Sequence, residues 1–187
     1  ETTGTLTPTA GAGRIVASGS GTGSARLTLA ALGTRTAGAT VDFATAAGGT
    51  IGFAAAPTLA NGILGPWATV AGANWATLSG SNVAPLASYT DIDAQGSTLA
   101  DNAATNVRVN AVGSGGNISL GAATTSVNTL LQATTTAATV ETAGQTLRAG
   151  GVMIAPGQGP LAIGAAAGDG TLTAAAAGGD LVLWNHS

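Results

Sequence analysis

Two aspartates set two residues apart, Asp91 and Asp93, are the strongest candidates for chemistry in the sequence. In a strand they project on the same face, where paired carboxylates can act on a sugar or bind a cation. The segment also imitates the opening of a calcium loop, with acids at the first and third positions and Gly96 at the sixth. The closing glutamate of such a loop is replaced by Asn102, and the composition offers no flanking helices. We therefore predict a solvated acidic turn, and calcium binding is left open.

The sequence gives little support for nucleophilic catalysis or for a phosphate-binding site. His186 is the one histidine, and no Ser and Asp pair is placed in the sequence to form a relay with it. The absence of cysteine removes any thiolate nucleophile or ligand. The glycine-rich strings Gly11–Gly13 and Gly19–Gly21 lack the Lys-Ser/Thr ending of a phosphate loop, so they are interpreted as turns. We predict a protein that is not an enzyme, with no catalytic, cofactor-binding or metal site.

Four aromatic side chains could stack on sugar rings: Trp67, Trp75, Tyr89 and Trp184. In a chain that is only 3% aromatic, these residues are also the main means of burying apolar area. Packing is the favoured interpretation, and surface glycans stay an alternative partner.

Charges are few, at 7% of the residues, and the net charge is -3 with a sequence pI near 4.7. All five basic residues are arginines spread along the chain, which argues against nucleic acid as a partner. Arg35 is expected to pair with a nearby acid such as Asp42. No apolar run approaches the roughly 18 residues of a membrane span. The Thr and Gly content, with no Lys, favours an exported protein at a bacterial cell surface.

More than half of the residues are Ala, Gly or Thr, and the mixture disfavours helix because Gly and Thr cost about 1 and 0.5 kcal/mol per helical residue. The larger side chains occur in short alternating segments that end in Gly or Asn, which is typical of strands followed by turns. These segments begin at residues 26, 40, 50, 106, 117 and 171. The sequence therefore predicts an all-β chain.

Internal similarity narrows the architecture to a solenoid. The segment 146–154 is echoed 25 residues later by 171–173 and, after small residues, by 181–183. A period of about 25 that contains two or three strands fits one coil of a parallel β-helix. Shorter repeats also occur: TVDF at 40–43 returns as TIGF at 50–53, and WATV at 67–70 returns as WATL at 75–78. The second and fourth residues of TVDF and TIGF are expected to share one core.

The stretch 54–104 differs from the rest. It contains three prolines, two tryptophans, the one tyrosine and three aspartates, and it has no arginine. We predict an irregular acidic insertion or flap carried on a single β-helix segment that spans residues 1–187 and forms part of a longer array.

Several strings resemble bacterial surface proteins built from autotransporter-associated β-strand repeats. They are LGTRTAGATVDF (32–43), NGILGPWATV (61–70), WATL with LASY (75–78 and 86–89) and the ending GGDLVLWN (178–185). The resemblance implies a right-handed parallel β-helix that is exported and has no catalytic residues. This chain is richer in Ala and poorer in Asn than is usual for such repeats.

Three functions follow as hypotheses. The first is an extracellular structural or adhesive module without enzymatic activity. The second is a fibre subunit whose open coil ends stack end to end, with segment 3–16 near one contact and 171–187 near the other, because unpaired strand edges template pairing. The third is a glycan-binding or polysaccharide-degrading β-helix, which the lack of basic residues between Arg35 and Arg108 disfavours.

Overall fold

The computed structural model describes residues 1–20 and 22–187, and this part of the chain contains eighteen strands and no helix. Gly21, in the predicted turn Gly19–Gly21, lies outside the described residues. The strands in chain order are β1 (Thr2–Thr3), β2 (Ala12–Ser18), β3 (Ala25–Leu29), β4 (Thr40–Ala46), β5 (Gly49–Phe53), β6 (Ala68–Val70), β7 (Asn74–Ser79), β8 (Asn82–Pro85), β9 (Thr90–Gln95), β10 (Thr98–Leu99), β11 (Asn102–Gly113), β12 (Ser119–Leu120), β13 (Thr124–Gln132), β14 (Ala138–Val140), β15 (Thr146–Ile154), β16 (Leu161–Ile163), β17 (Thr171–Ala174) and β18 (Val182–Asn185).

The fold is a β-solenoid of parallel stacked strands, which confirms the predicted all-β class and architecture. The chain divides into two compact units, residues 1–87 and 88–187. Each unit is described by itself.

Unit 1, residues 1–87, contains two parallel stacks. One runs β1–β3–β5 and the other β2–β4–β6, with successive strands of a stack in register. In the second stack Gly13 lies opposite Val41, which in turn lies opposite Ala68. Equivalent positions of successive coils therefore lie 27 or 28 residues apart here, close to the predicted period.

A hairpin of β7 and β8 completes unit 1 and runs antiparallel to its neighbours. Strand β7 pairs with β6, and β8 pairs with β5, so the hairpin joins the ends of the two stacks. The turn from β6 to β7 has positive φ at Ala71 and Gly72, which reverses the chain direction. The WATV and WATL segments are consequently the two arms of a hairpin, with Thr69 opposite Trp75, and they are not equivalent positions of successive coils.

The core of unit 1 confirms the prediction that the second and fourth residues of TVDF and TIGF share one core. Val41, Phe43, Ile51 and Phe53 are buried in one hydrophobic cluster. TVDF lies on β4 and TIGF on β5, which belong to different stacks, so the ten-residue repeat spans two sides of one coil. Two sides of a coil share the same interior, and this is why both segments have the same pattern of large apolar residues.

Unit 2, residues 88–187, is built around one long parallel sheet in the order β9–β11–β13–β15. Both β17 and β18 then pair with β15, on its first and second halves respectively. Two further short ladders, β10–β12 and β14–β16, form another side of the coils. Thr146 lies opposite Thr171, which confirms the predicted 25-residue echo as a true structural register.

The stretch 54–104 falls across the division between the two units. Its departure from parallel stacking is the β7–β8 hairpin, where the antiparallel pairs Ser79–Asn82 and Ala76–Pro85 occur. From Thr90 the chain is again part of a parallel sheet, because β9 pairs with β11. The aspartates at the end of this stretch therefore lie on or beside a regular coil.

Close approach of neighbouring coils gives a first prediction. A Cβ placed on Gly49 would collide with the backbone oxygen of Ala17, and a Cβ on Gly4 would meet nothing within 4 Å. We expect Gly49→Ala to lower the free energy of unfolding by about 1–3 kcal/mol, because backbone atoms have to move to admit the methyl group. Gly4→Ala is the matched control, with a change within about 0.5 kcal/mol. Chemical denaturation of both variants measures the difference, and equal stabilities would contradict the packing.

Candidate functional site

The outer surface of the first coils of unit 2 contains a polar cluster formed by Tyr89, Asp91 and Arg108. Asp91 on β9 lies opposite Arg108 on β11. The guanidinium donates two hydrogen bonds to the carboxylate, from Nε to Oδ1 at 2.7 Å and from Nη2 to Oδ2 at 2.9 Å. It also lies 4.8 Å from the centre of the Tyr89 ring, within cation–π distance. This ion pair joins two successive coils.

The ion pair shifts the pKa values of both side chains. Hydrogen bonding to Arg108 holds the pKa of Asp91 below its ordinary value, and the same contact raises the pKa of Arg108. A carboxylate engaged on both oxygens by a guanidinium presents little free negative charge to a cation. The geometry thus favours a structural role for Asp91.

Of the other two aspartates of this region, Asp93 forms a hydrogen bond through its backbone and Asp101 through its carboxylate. The backbone N–H of Asp93 donates to Ser97 Oγ at 2.9 Å, and Asp101 Oδ1 accepts the N–H of Ser126 at 2.7 Å. Across residues 1–20 and 22–187 no three His, Cys, Asp or Glu side chains come together in a way that could hold a metal.

Removing the ion pair gives a prediction with a definite pH dependence. Because the folded pKa of Asp91 is lowered, the carboxylate stabilises the fold above its unfolded pKa, near 3.8, and this contribution is lost as the pH falls through the folded value. The two side chains are 45% and 26% exposed, so solvent screening limits the effect of Asp91→Asn to about 0.5–1 kcal/mol at neutral pH.

Urea denaturation at several pH values checks this expectation. The difference between the wild type and Asp91→Asn should stay constant above the ordinary aspartate pKa and shrink below it. Asp93→Asn is the control on the same strand, opposite Ala111, with an expected change within about 0.5 kcal/mol. A calcium-dependent rise in Tm that Asp91→Asn abolishes would instead support the calcium loop.

A second polar cluster, in unit 1, surrounds Asp42 on β4. Its Oδ1 accepts hydrogen bonds from Thr69 Oγ1 and from the N–H of Gly72, both at 2.8 Å, and its Oδ2 lies 3.2 Å from Nε of Arg14. The carboxylate therefore links β2, β4 and the β6–β7 turn. The predicted partner was Arg35, and this prediction was wrong, because Arg14 occupies the equivalent position one coil earlier, opposite Asp42.

Arg35 has other partners. Its Nε donates to the backbone oxygen of Ala39 at 2.7 Å, and its guanidinium carbon lies 5.8 Å from the centre of the Trp67 ring. Trp75 is fully buried, in agreement with the packing interpretation of the aromatic residues. Trp184 stacks on His186 with ring centres 5.6 Å apart, and the backbone N–H of His186 donates to the oxygen of Ile154 at 3.1 Å. Of the four aromatic residues considered in the sequence analysis, Trp75 is the buried one, and Trp67, Tyr89 and Trp184 are half-buried.

Two buried amides in unit 2 were missed by the sequence analysis, one joining strands β11 and β13 and one at the corner after β13. Oδ1 of Asn106 accepts hydrogen bonds from Asn128 Nδ2 at 2.7 Å and from Thr129 Oγ1 at 2.8 Å. Gln132, with no exposed surface, donates from Nε2 to the backbone oxygens of Thr134 and Thr136 at 3.0 and 2.7 Å. A polar residue inside an apolar strand is the signal that could have identified both sites.

The last coil of unit 2 leaves its interior open. Leu183 lies opposite Val152, a buried core residue, and yet Leu183 is 65% exposed. Around it is a cavity of about 230 Å³. We call this the open core, and it is lined by Val152, Ile154, Leu161, Ile163, Leu172, Leu183, Trp184 and Asn185. Most of the residues that line it are apolar.

The geometry thus defines a β-solenoid protein with two polar clusters on its coils and an open apolar interior. Comparison with protein-family models, curated proteins and solved structures gives no match for the chain. In the described part of the chain there is no helix with the length and hydropathy needed to cross a membrane.

Proposed function

We propose that this chain is a non-enzymatic structural or adhesive module of an autotransporter-like protein at a bacterial cell surface, with the outer face of its coils as the working surface. The observation that carries the proposal is the parallel pairing of successive coils, in the two stacks of unit 1 and in the long sheet of unit 2. A solenoid of this kind is stabilised by contacts between neighbouring coils, so its length can change without a change in its design.

Polar contacts between coils support this role. Thr98 and Ser119 on neighbouring coils lie 2.9 Å apart through their hydroxyl oxygens, and Asn117 Nδ2 donates to Glu141 Oε1 at 2.8 Å. Together with the Asp91–Arg108 and Arg14–Asp42 pairs, these contacts stack polar side chains along the outside. Such side chains keep the surface hydrated and tie each coil to the next.

A display experiment tests the proposal. The chain is placed between a bacterial membrane anchor and a distal epitope, and antibody binding to intact cells is measured by flow cytometry. The control carries Phe43→Asp, which puts a charge into the core of unit 1 and is expected to unfold it. We expect the folded chain to raise epitope accessibility or cell adhesion above the control. Equal values, or release of reducing sugars from polysaccharides by the purified chain, would overturn the proposal.

A second candidate function is a fibre subunit in which copies associate end to end. The open core favours it, because about 25 cal/mol is gained for each Å² of apolar surface removed from water. Analytical ultracentrifugation of the 187-residue chain over a range of concentrations tests this function. Growth in size with concentration supports it, and a monomer at all concentrations excludes it for this chain.

A further inference from the structure

Arginine is the one residue type after which trypsin-type proteases can cut this chain, because the chain has no lysine. Such a protease binds the arginine side chain in an acidic pocket and the backbone on both sides of the scissile bond in its cleft. A bond held inside a folded element has to open locally before it can enter that cleft. The contacts of the five arginines therefore determine whether the folded chain can be cleaved.

Three arginines lie on strands that have a neighbouring strand on each side. Arg26 lies on β3, between β1 and β5. Arg108 lies on β11, between β9 and β13, and Arg148 lies on β15, between β13 and β17. Opening any of these bonds breaks hydrogen bonds to two strands. It also exposes the next residue, which in each case belongs to a hydrophobic cluster or packs against it: Leu27, Val109 and Ala149.

Arg35 is outside the strands, and tertiary contacts hold both its side chain and its scissile bond. Its Nε donates to the backbone oxygen of Ala39 at 2.7 Å, and its guanidinium carbon lies 5.8 Å from the centre of the Trp67 ring. The N–H of Thr36, which belongs to the bond that would be cut, donates to the oxygen of Pro8 at 2.9 Å. The guanidinium has to leave Trp67 and Ala39 before it can enter a protease pocket.

Arg14 has the weakest protection. It lies on β2, which has β4 as its one neighbour among the described strands, and its side chain is 65% exposed although it contacts Asp42. The bond after Arg14 is therefore expected to be the first that trypsin cuts in the wild type.

We propose that the fold is a device against proteolysis, in which trypsin-type proteases cut the bonds after Arg26, Arg35, Arg108 and Arg148 only when the surrounding strands come apart. We call these the four protected bonds. The first two lie in unit 1 and the last two in unit 2. This protection goes beyond the function proposed above and does not depend on it, because it follows from the contacts of the arginines.

Limited digestion with trypsin tests the proposal, and mass spectrometry of the products identifies each bond that is cut. Ser114→Arg supplies an unprotected site, since Ser114 is exposed in the connection between β11 and β12. We expect the bond after residue 114 in this variant to be cut about tenfold faster, or more, than the four protected bonds. Ser114→Gln is the matched control, because it lengthens the side chain without creating a trypsin site, and it should be as resistant as the wild type.

Urea separates cleavage that needs unfolding from cleavage of the folded chain. Rates are measured at urea concentrations below the unfolding transition and divided by the rate for a small arginine peptide, which corrects for the effect of urea on trypsin. Cleavage of the four protected bonds should accelerate with urea, because it follows the falling free energy of unfolding, and cleavage after residue 114 should stay constant. Circular dichroism confirms that each variant is folded.

Trp67→Leu tests the protection of Arg35. Leucine keeps an apolar side chain beside the cluster of unit 1 and removes the aromatic ring. The ratio of cleavage after Arg35 to cleavage after Arg26 should rise about threefold to tenfold, the equivalent of one cation–π contact. Using this ratio within one unit cancels a general loss of stability.

Three results would contradict the proposal. Wild-type cleavage of any of the four protected bonds at the rate seen after residue 114 in Ser114→Arg would overturn it. Rates at these bonds that do not change with urea would do the same. An unchanged ratio in Trp67→Leu would overturn the protection of Arg35 by the ring.

Discussion

Replacing Phe43 by alanine is expected to lower the free energy of unfolding by about 3–5 kcal/mol, the usual cost of removing a buried aromatic ring. Phe43 is 1% exposed and lies between Ile15 and Val70 of the neighbouring coils. Small residues dominate the chain, so few side chains nearby can move to fill the space. A loss of this size is a large part of the 5–15 kcal/mol that stabilises an ordinary domain.

Denaturation followed by tryptophan fluorescence measures the effect, since Trp67 and Trp75 both belong to unit 1. The control is Val16→Ala on the neighbouring strand, where the side chain is more than half exposed and the expected change is within about 0.5 kcal/mol. A loss below about 1 kcal/mol for Phe43→Ala would show that this ring is not part of a packed core.

The second large effect is expected at Gln132. Replacing it with leucine keeps a similar volume but removes the donor for the backbone oxygens of Thr134 and Thr136. The Thr134 oxygen keeps the N–H of Gly159 as a donor at 2.9 Å, so only the half-buried Thr136 oxygen loses its donor. An acceptor left without a donor costs about 1–3 kcal/mol, and we expect Gln132→Leu to destabilise the protein by about this amount.

Gln158→Leu is the matched control for this change. Its Nε2 donates to the backbone oxygen of Pro156 at 3.4 Å in an exposed loop, where water can replace the bond. Urea denaturation should show at most about 0.5 kcal/mol for the control. Equal effects of the two substitutions would show that the corner formed by residues 133–136 does not depend on the buried amide.

Two predictions from the sequence were correct because of the way in which parallel coils stack. The register between Thr146 and Thr171 was predictable, because in a parallel stack each residue packs on its equivalent in the next coil, and equivalents tend to be alike. The shared core of Val41 and Phe43 was predictable from alternation alone. Both inferences use local pattern at a fixed spacing.

The polar partners were harder to predict because the spacing between stacked residues is not constant. Asp91 meets Arg108 at a separation of 17 residues, whereas Val152 meets Leu183 at 31. The connections between strands differ in length from one coil to the next, and the strands still stack in register. A charged residue therefore has several candidate partners, and Asp42 was assigned to Arg35 when its true partner is Arg14.

The sequence by itself determined the strand class, the inward faces and the approximate coil length, since these depend on alternation, on the helix cost of Gly and Thr, and on similarity between coils. Tertiary structure alone decided that the two WAT segments form an antiparallel hairpin, that Gln132 anchors a corner from within the core, and that Leu183 stands exposed over the open core. The physical reason is that each depends on where the chain turns. A turn at Ala71 and Gly72 reverses direction, and a similar small-residue segment elsewhere continues the coil.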